Sequence, residues 1–263
     1  MKLFVTRLFR YPIKGMGADA LDKAVIVPGE GVEEDGLYTL VFERSSASFL
    51  TGLRMAEGCF VTLADAPELA RLEMLWSNRA TVLSVEKSGS RLAWADLSSS
   101  VGRARISDFF AAFLRSGPMG QPRLSFVASD RRESRSKVVR VIFEESLRAL
   151  EKVARCSLDM RRFRPHLVLS GVSPWKEFSC PDRDLIFSSG VRLRPRAPMR
   201  PGAIANVDPK TGDTSLNVTR VLIEGLGFDS FGFTAEAVQG GELLAGAQAF
   251  ISAITPSLTE SPV

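Results

Sequence analysis

The chain has 263 residues, of which 45% are apolar and 24% are charged, a composition typical of a globular protein with a buried core. Lys and Arg number 34 against 30 Asp and Glu, and this small positive excess does not favour binding along a nucleic acid. It indicates a local site for a small anion instead. The single histidine, His166, excludes metal sites that need two imidazoles.

The N-terminus and the cysteines indicate a cytoplasmic protein. Arg7 and Arg10 lie where a signal peptide has its apolar centre, and no apolar run approaches the roughly 20 residues that span a bilayer. The three cysteines, Cys59, Cys156 and Cys180, are far apart and odd in number, which does not fit a disulfide framework.

Short strands are predicted for most of the first 100 residues. The runs of apolar and β-branched residues bounded by Gly, Pro or Ser are residues 3–8, 24–28, 37–42, 59–63 and 80–85. Asp65-Ala66-Pro67-Glu68 predicts the start of a brief helix, since Pro and Glu favour the first turn. The serine-rich residues 97–102 are predicted to be a loop.

A helix that begins at Ser107 is predicted to end the first domain. Phe109, Phe110 and Phe113 would share one face of it, and Gly117-Pro118 would terminate it. We therefore predict a domain boundary near residue 118.

The second half is predicted to contain one clear helix among further strands. Leu147, Leu150 and Val153 recur at three-residue steps, which predicts a helix over residues 143–154. The predicted strands are residues 123–128, 167–169, 185–187 and 191–193. Three prolines in residues 195–203 argue against a central strand there. Residues 218–226 fit a helix or a strand, and residues 231–245 are predicted to form a closing hairpin.

This pattern predicts a mainly β fold of barrels or rolled mixed sheets with a few short helices. The predicted domains are an N-terminal β-barrel domain over 1–118, a second domain over 119–255 and a loose tail over 256–263. Without a family resemblance, the residues predict only that the protein has one or more anion-binding sites.

Several segments, in order along the chain, resemble the MOSC (molybdenum cofactor sulfurase C-terminal) family with its N-terminal β-barrel domain. They are YPIK at 11–14, the joint at 109–123, ESL at 145–147, RRFRPHLVLSG at 161–171, VDPKTG at 207–212, FG at 231–232 and VQGG at 238–241. The family patterns that they resemble are Y-P-[I/V]-K-S, W-F-x-x-x-L-G-x-P-x-R-L, E-x-S-L, R-R-F-R-P-N-I-V-V-x-G, V-D-P-x-T-G, F-G and V-x-x-G-G.

The resemblance implies that a cleft between the two domains binds the molybdenum cofactor, a pterin dithiolene with a phosphate tail. The cofactor-binding residues that it implies are Lys14, Ser146, Arg162, Arg164 and His166. It further implies that Lys14 and the two arginines converge on a pocket onto which Gly202 opens, with the cations facing the phosphate. The alternative is that Arg162 and Arg164 only pair with acids such as Asp159.

The sequence departs from the family where the metal is held. Pro198-Met199-Arg200-Pro201-Gly202 stands where the family has P-C-x-R-C, so Gly202 occupies the position of the ligand cysteine. Met199 stands at the other cysteine, and a neutral thioether is a poorer partner for high-valent molybdenum than a thiolate. Gly15 replaces the serine after Lys14, and Gly36 replaces an arginine.

Two functions follow from the resemblance and its gaps. The first is a molybdenum-cofactor oxidoreductase or carrier with altered ligation, which would reduce N-hydroxylated compounds or handle cofactor sulfur. Such a reductase would need an external electron donor, since the chain has no iron–sulfur cysteine cluster. The second is a repurposed non-catalytic subunit, or a binder of another phosphorylated or anionic small molecule.

RNA binding through the basic run from Arg131 to Arg140 is a third and weaker hypothesis. A solvated loop or the rim of the anion cleft would explain this run equally well. Steep loss of RNA affinity with salt would support it.

Overall fold

The computed structural model describes residues 2–42, 60–77, 79–114, 124–128, 137–179 and 183–252, with residues 124–128 described by their backbone. The strands are, in chain order, β1 (Lys2–Arg10), β2 (Asp19–Leu21), β3 (Lys23–Val27), β4 (Gly31–Val32), β5 (Tyr38–Phe42), β6 (Glu73–Ser77), β7 (Val82–Lys87), β8 (Ser90–Asp96), β9 (Leu124–Ala128), β10 (Val139–Phe143), β11 (Leu167–Ser170), β12 (Leu185–Phe187), β13 (Arg192–Pro198), β14 (Phe233–Gln239), β15 (Gly241–Leu244) and β16 (Gln248–Ile251). The α-helices are α1 (Ser100–Phe113), α2 (Glu144–Ala154) and α3 (Val218–Leu226). None of these helices has the length and apolar character needed to cross a bilayer.

Seven strands form a closed barrel, which confirms the predicted mainly β fold. Their order is β11-β10-β14-β13-β12-β16-β1, and β1 also pairs with β11 to close the ring. The pair β10–β11 is parallel, and α2 supplies the crossover between these two strands. The barrel interior is filled by alternate residues of each strand, such as Leu3 and Val5 of β1.

Two helices cover one side of the barrel. Ile142 of β10 and Val168 of β11 point outward and pack against Leu150 of α2 and Leu222 of α3. These four side chains are all fully buried. The central strands β10 and β11 are therefore apolar on both faces, because one face meets the barrel interior and the other meets the helices.

A second core lies beside the barrel. The sheet β6-β7-β8 packs with α1, with the 3-10 helix Pro67–Arg71 and with β5, which pairs with β9. The same core contains Ile13 and Met16, which follow β1, and Val207, which follows β13. The segment after β1 thus ties the second core to the barrel.

The two predicted domains contribute strands to the same sheets. β1 is the barrel strand between β11 and β16, and β3 pairs with β15. The predicted boundary at residue 118 lies outside the described residues, so its position stays a prediction.

The prolines of residues 195–203 do not lie in a strand that is paired on both sides, as predicted. β13 continues through Pro195 to Pro198, but its partner β12 pairs only with residues 192–193, so the proline segment pairs with β14 alone. A register shift between Pro195 and Ala197 accommodates the prolines on the other side. The predicted loop at residues 97–102 was wrong from Ser100 onward. Helix α1 begins there rather than at Ser107, because Ser99 caps it through a 2.9 Å bond from the Gly102 N–H to its hydroxyl.

The predicted closing hairpin was also wrong. β14 pairs with β13 and β10, whereas β15 pairs with β3. Gly241, with φ +147°, lies where the chain passes from one sheet to the other.

Candidate functional site

A cavity of about 770 Å³ lies between the second core and the barrel. One part of its wall carries Lys14 and residues between Phe60 and Asp65, and another part carries residues 162–164 and 199–205. Its cationic residues are Lys14, Arg140, Arg162, Arg164 and Arg200, against one carboxylate, Asp65. A cavity with this charge favours an anionic ligand.

Lys14 extends from the turn after β1 into this cavity. Its ammonium lies 4.1 Å from the centre of the Phe60 ring, and partial burial lowers its pKa. Among the described residues no carboxylate lies within ion-pair distance of Lys14, so its charge faces the cavity uncompensated.

Arg164 follows the 3-10 helix Met160–Phe163 and has a left-handed backbone, with φ +51°. Its guanidinium lies over the Tyr11 ring, 4.0 Å from the ring centre, and donates to the Met16 carbonyl. Burial lowers the pKa of Arg164 to about 10, so the group stays charged at neutral pH. No described carboxylate lies within ion-pair distance, so its other N–H groups remain available to an anion.

Arg162 has a different role, since its guanidinium is committed to the segment that follows β13 in the cavity wall. It donates to the carbonyls of Ala205 and Asn206 at 3.2 and 3.0 Å, and to Asp208 Oδ2 at 3.0 Å. The arginine motif and the VDPKTG turn are thus joined by this ion pair. Arg162 holds the cavity wall in place, while Asp159 pairs with Arg161 instead.

The segment after β13 forms another part of the cavity wall. Met199 is fixed by backbone hydrogen bonds with Gly232 and Phe231. Gly202 lies on the cavity wall with an ordinary φ of −85°, and a Cβ built there would meet no atom within 4 Å. A side chain at position 202 would therefore extend into open space.

A buried polar cluster lies behind Arg164. Asp35 accepts the Tyr11 N–H at 2.7 Å, and its other oxygen lies 3.1 Å from His166 Nε2. Burial lowers the pKa of His166, whose Nδ1 accepts the Arg140 N–H at 3.1 Å and whose Nε2 lies against both Asp35 and the Arg140 guanidinium. Burial would raise the pKa of Asp35, but His166, Arg140 and the Tyr11 N–H outweigh it and hold this pKa well below its usual range.

Ser146 lies outside the cavity wall. It is fully buried in α2, donates to Glu177 Oε2 at 2.9 Å and accepts the Trp175 N–H at 2.9 Å. Its hydroxyl thus holds the segment that carries Trp175.

The structure brings Lys14, Arg162, Arg164 and Gly202 to one cavity, whereas Ser146 and His166 are buried and are not part of its wall. Arg140 is not among the cofactor-binding residues that the resemblance implies, yet its Nε donates to the Arg164 carbonyl at 2.6 Å. Arg140 lies in β10 between Val139 and Val141, which are both buried. Because side chains alternate between the two faces of a strand, this position indicates that Arg140 points away from the barrel interior.

Part of the basic run from Arg131 to Arg140 and two of the cysteines fall outside the part of the chain that the structure describes. Arg131, Arg132, Arg135, Cys59 and Cys180 lie outside the described residues. Cys156 is a free, exposed thiol.

No protein-family model and no curated protein matches the chain. Among solved structures it is similar to the YuaD protein from Bacillus subtilis, with 12% identity and a TM-score of 0.44 over 95% of this chain and 94% of that one. It is also similar to YiiM from Geobacillus stearothermophilus, with 13% identity and a TM-score of 0.34 over 44% of this chain and 54% of that one.

Proposed function

We propose that the chain is a divergent relative of the MOSC proteins whose cavity binds a phosphorylated small molecule. One observation carries this proposal: Lys14 and Arg164 come from distant parts of the chain and face one cavity without a described carboxylate partner. A phosphate monoester carries a charge between −1.5 and −2 at neutral pH and would offset both cations.

The cavity has room for more than the phosphate. Its volume of about 770 Å³ and the apolar side chains of Phe60, Met199 and Ile204 suit a ligand with an organic body. Arg162 and Asp208 would keep the wall against which that body lies.

The residues present fit the phosphate tail of the molybdenum cofactor, but they do not fit its metal. No cysteine is found among the described residues of the cavity wall, and the residue at the expected ligand position, Gly202, has no side chain. Within the described chain, no group of three or more His, Cys, Asp and Glu could hold a metal ion. We therefore derive no oxo-transfer step.

The test is anion binding measured by calorimetry, with inorganic pyrophosphate as the probe. Arg164→Ala should weaken binding about tenfold or more, since a hydrogen bond to a charged group contributes about 1.5–3 kcal/mol. Arg105→Ala is the matched control, because Arg105 is an exposed arginine of α1 outside the cavity wall. Absence of pyrophosphate binding by the unaltered protein, or equal loss in both variants, contradicts the proposal.

A molybdenum-cofactor enzyme or carrier with altered ligation is the second candidate. The open space at Gly202, on the same wall as the proposed phosphate site, favours it. Purification from a cofactor-competent host, followed by elemental analysis and by fluorescence of the oxidised pterin, tests it. Near-stoichiometric molybdenum and pterin support this candidate, and absence of both rejects it.

A further inference from the structure

Asp35 is placed to control Arg164 without touching the cavity. It is 7% exposed and is not part of the cavity wall. Its two oxygens face different partners: Oδ1 accepts the Tyr11 N–H, and Oδ2 lies 3.1 Å from His166 and 3.7 Å from Arg140.

Two of these partners support Arg164 directly. The Tyr11 ring lies beneath the guanidinium of Arg164, and Arg140 Nε donates to the Arg164 carbonyl at 2.6 Å. A left-handed backbone is unfavourable for a residue other than glycine, so Arg164 needs such support to keep its conformation.

The same arrangement brings two positive charges close together. The Cζ atoms of Arg140 and Arg164 lie 5.3 and 4.0 Å from the centre of the Tyr11 ring. The two arginines therefore repel each other across a buried site, where screening by water is weak. The buried carboxylate of Asp35 is the charge that offsets this repulsion.

We propose that Asp35 is a positioning residue, which holds Arg164 toward the cavity through Tyr11 and Arg140. This inference rests on the proposed function, because it concerns how the anion site is kept ready. It assigns Asp35 and His166 to the support of the site rather than to contact with the ligand.

Two variants that each remove one negative charge, Asp35→Asn and Asp65→Asn, test the proposal by whether pyrophosphate affinity falls or rises. Asp65→Asn removes a carboxylate from the cavity wall, while the amide oxygen of this variant can still accept the hydrogen bonds from Thr62. Simple electrostatics predicts that either variant binds an anion as well or better. If Asp35 positions Arg164, Asp35→Asn should bind pyrophosphate about tenfold more weakly, which corresponds to the loss of one charge-assisted hydrogen bond. Asp65→Asn should show no loss of pyrophosphate affinity.

A double-variant cycle separates positioning from general damage. If Asp35 acts through Arg164, Asp35→Asn should produce no further loss when added to Arg164→Ala. A thermal melt of each variant shows first that it folds. Equal or tighter binding by Asp35→Asn, or an undiminished additional loss in the double variant, overturns the proposal.

A second readout does not need a bound anion. Phenylglyoxal labels accessible arginines, and mass spectrometry can follow Arg164 against the exposed Arg105 as internal reference. Asp35→Asn should make Arg164 react several-fold faster, and an unchanged rate overturns the positioning role. If the unaltered protein binds no pyrophosphate, the proposed function fails, and the labelling still decides on Asp35.

Tyr11 provides a variant pair without a charge change, in case Asp35→Asn does not fold. Tyr11→Leu removes the ring beneath Arg164, while Tyr11→Phe keeps it and loses only the hydroxyl bond to the Pro165 carbonyl. Faster labelling of Arg164 in Tyr11→Leu alone supports the arrangement. Equal rates in the two variants refute it.

Discussion

Replacement of Glu177 by Gln should change how stability depends on pH. Glu177 is 8% exposed, Oε2 accepts the Ser146 hydroxyl, and Oε1 has no hydrogen-bond partner among the described residues. Burial, with a smaller contribution from Glu145, raises the pKa of Glu177 from 4.5 to about 7.

The sign of the effect follows from this shift. Between pH 4.5 and 7 the native protein holds a proton on Glu177 that the unfolded chain releases, so stability falls as pH rises. At about 1.4 kcal/mol for each pH unit, this window corresponds to a loss of about 3 kcal/mol. In Glu177→Gln this contribution disappears, since the amide does not titrate.

Chemical denaturation of both proteins at pH 4.5 and pH 8 measures the difference. The stability of Glu177→Gln relative to the unaltered protein should increase by about 3 kcal/mol between the two pH values. The matched control is Glu68→Gln, because Glu68 is an exposed residue of the 3-10 helix Pro67–Arg71. Parallel pH dependence of the unaltered protein and Glu177→Gln would refute the reasoning.

Two glycine positions give further predictions. Gly202→Cys should change the free energy of unfolding by less than about 0.5 kcal/mol, since a Cβ there meets nothing, and should raise molybdenum retention if the cavity accepts the cofactor. Unchanged metal content by elemental analysis would count against the cofactor. Gly15→Ser should cost about 2–4 kcal/mol in denaturation, because Gly15 has φ +76° and its Cβ would lie 2.5 Å from Thr62 Cγ2. Gly29→Ser is the control, because Gly29 has φ +69° but no atom near its Cβ, so this variant should lose only the backbone cost of about 1–2 kcal/mol. Equal losses of stability in the two variants would contradict the clash with Thr62.

The strands and the main helix could be predicted where local pattern and burial agree. The prediction of a helix over 143–154 was confirmed to within one residue, because its apolar face packs directly on β10 and β11. The short helix at Pro67 was confirmed as a 3-10 helix, although Asp65 bonds to Thr62 rather than capping it. Local pattern failed at residues 100–102, which were predicted to be a loop but begin helix α1 because Ser99 caps it.

The candidate site was predictable only in part. The motif residues Lys14 and Arg164 lie on the cavity wall, but sequence spacing does not show which cations are already paired. Arg162 is bound to Asp208, 46 positions away, and Asp35 reaches His166 from the other half of the chain. Such long-range pairs depend on the closed barrel, so they could not be inferred from local sequence.

The place of β1 in the barrel constrains how the molecule can assemble. β1 (Lys2–Arg10) is synthesised well before its barrel neighbours β11 (Leu167–Ser170) and β16 (Gln248–Ile251). The ring stays open during translation, and its closure depends on contacts of very high sequence separation, which slows folding. A product that starts after β1 would keep two unpaired strand edges, and such edges invite aggregation.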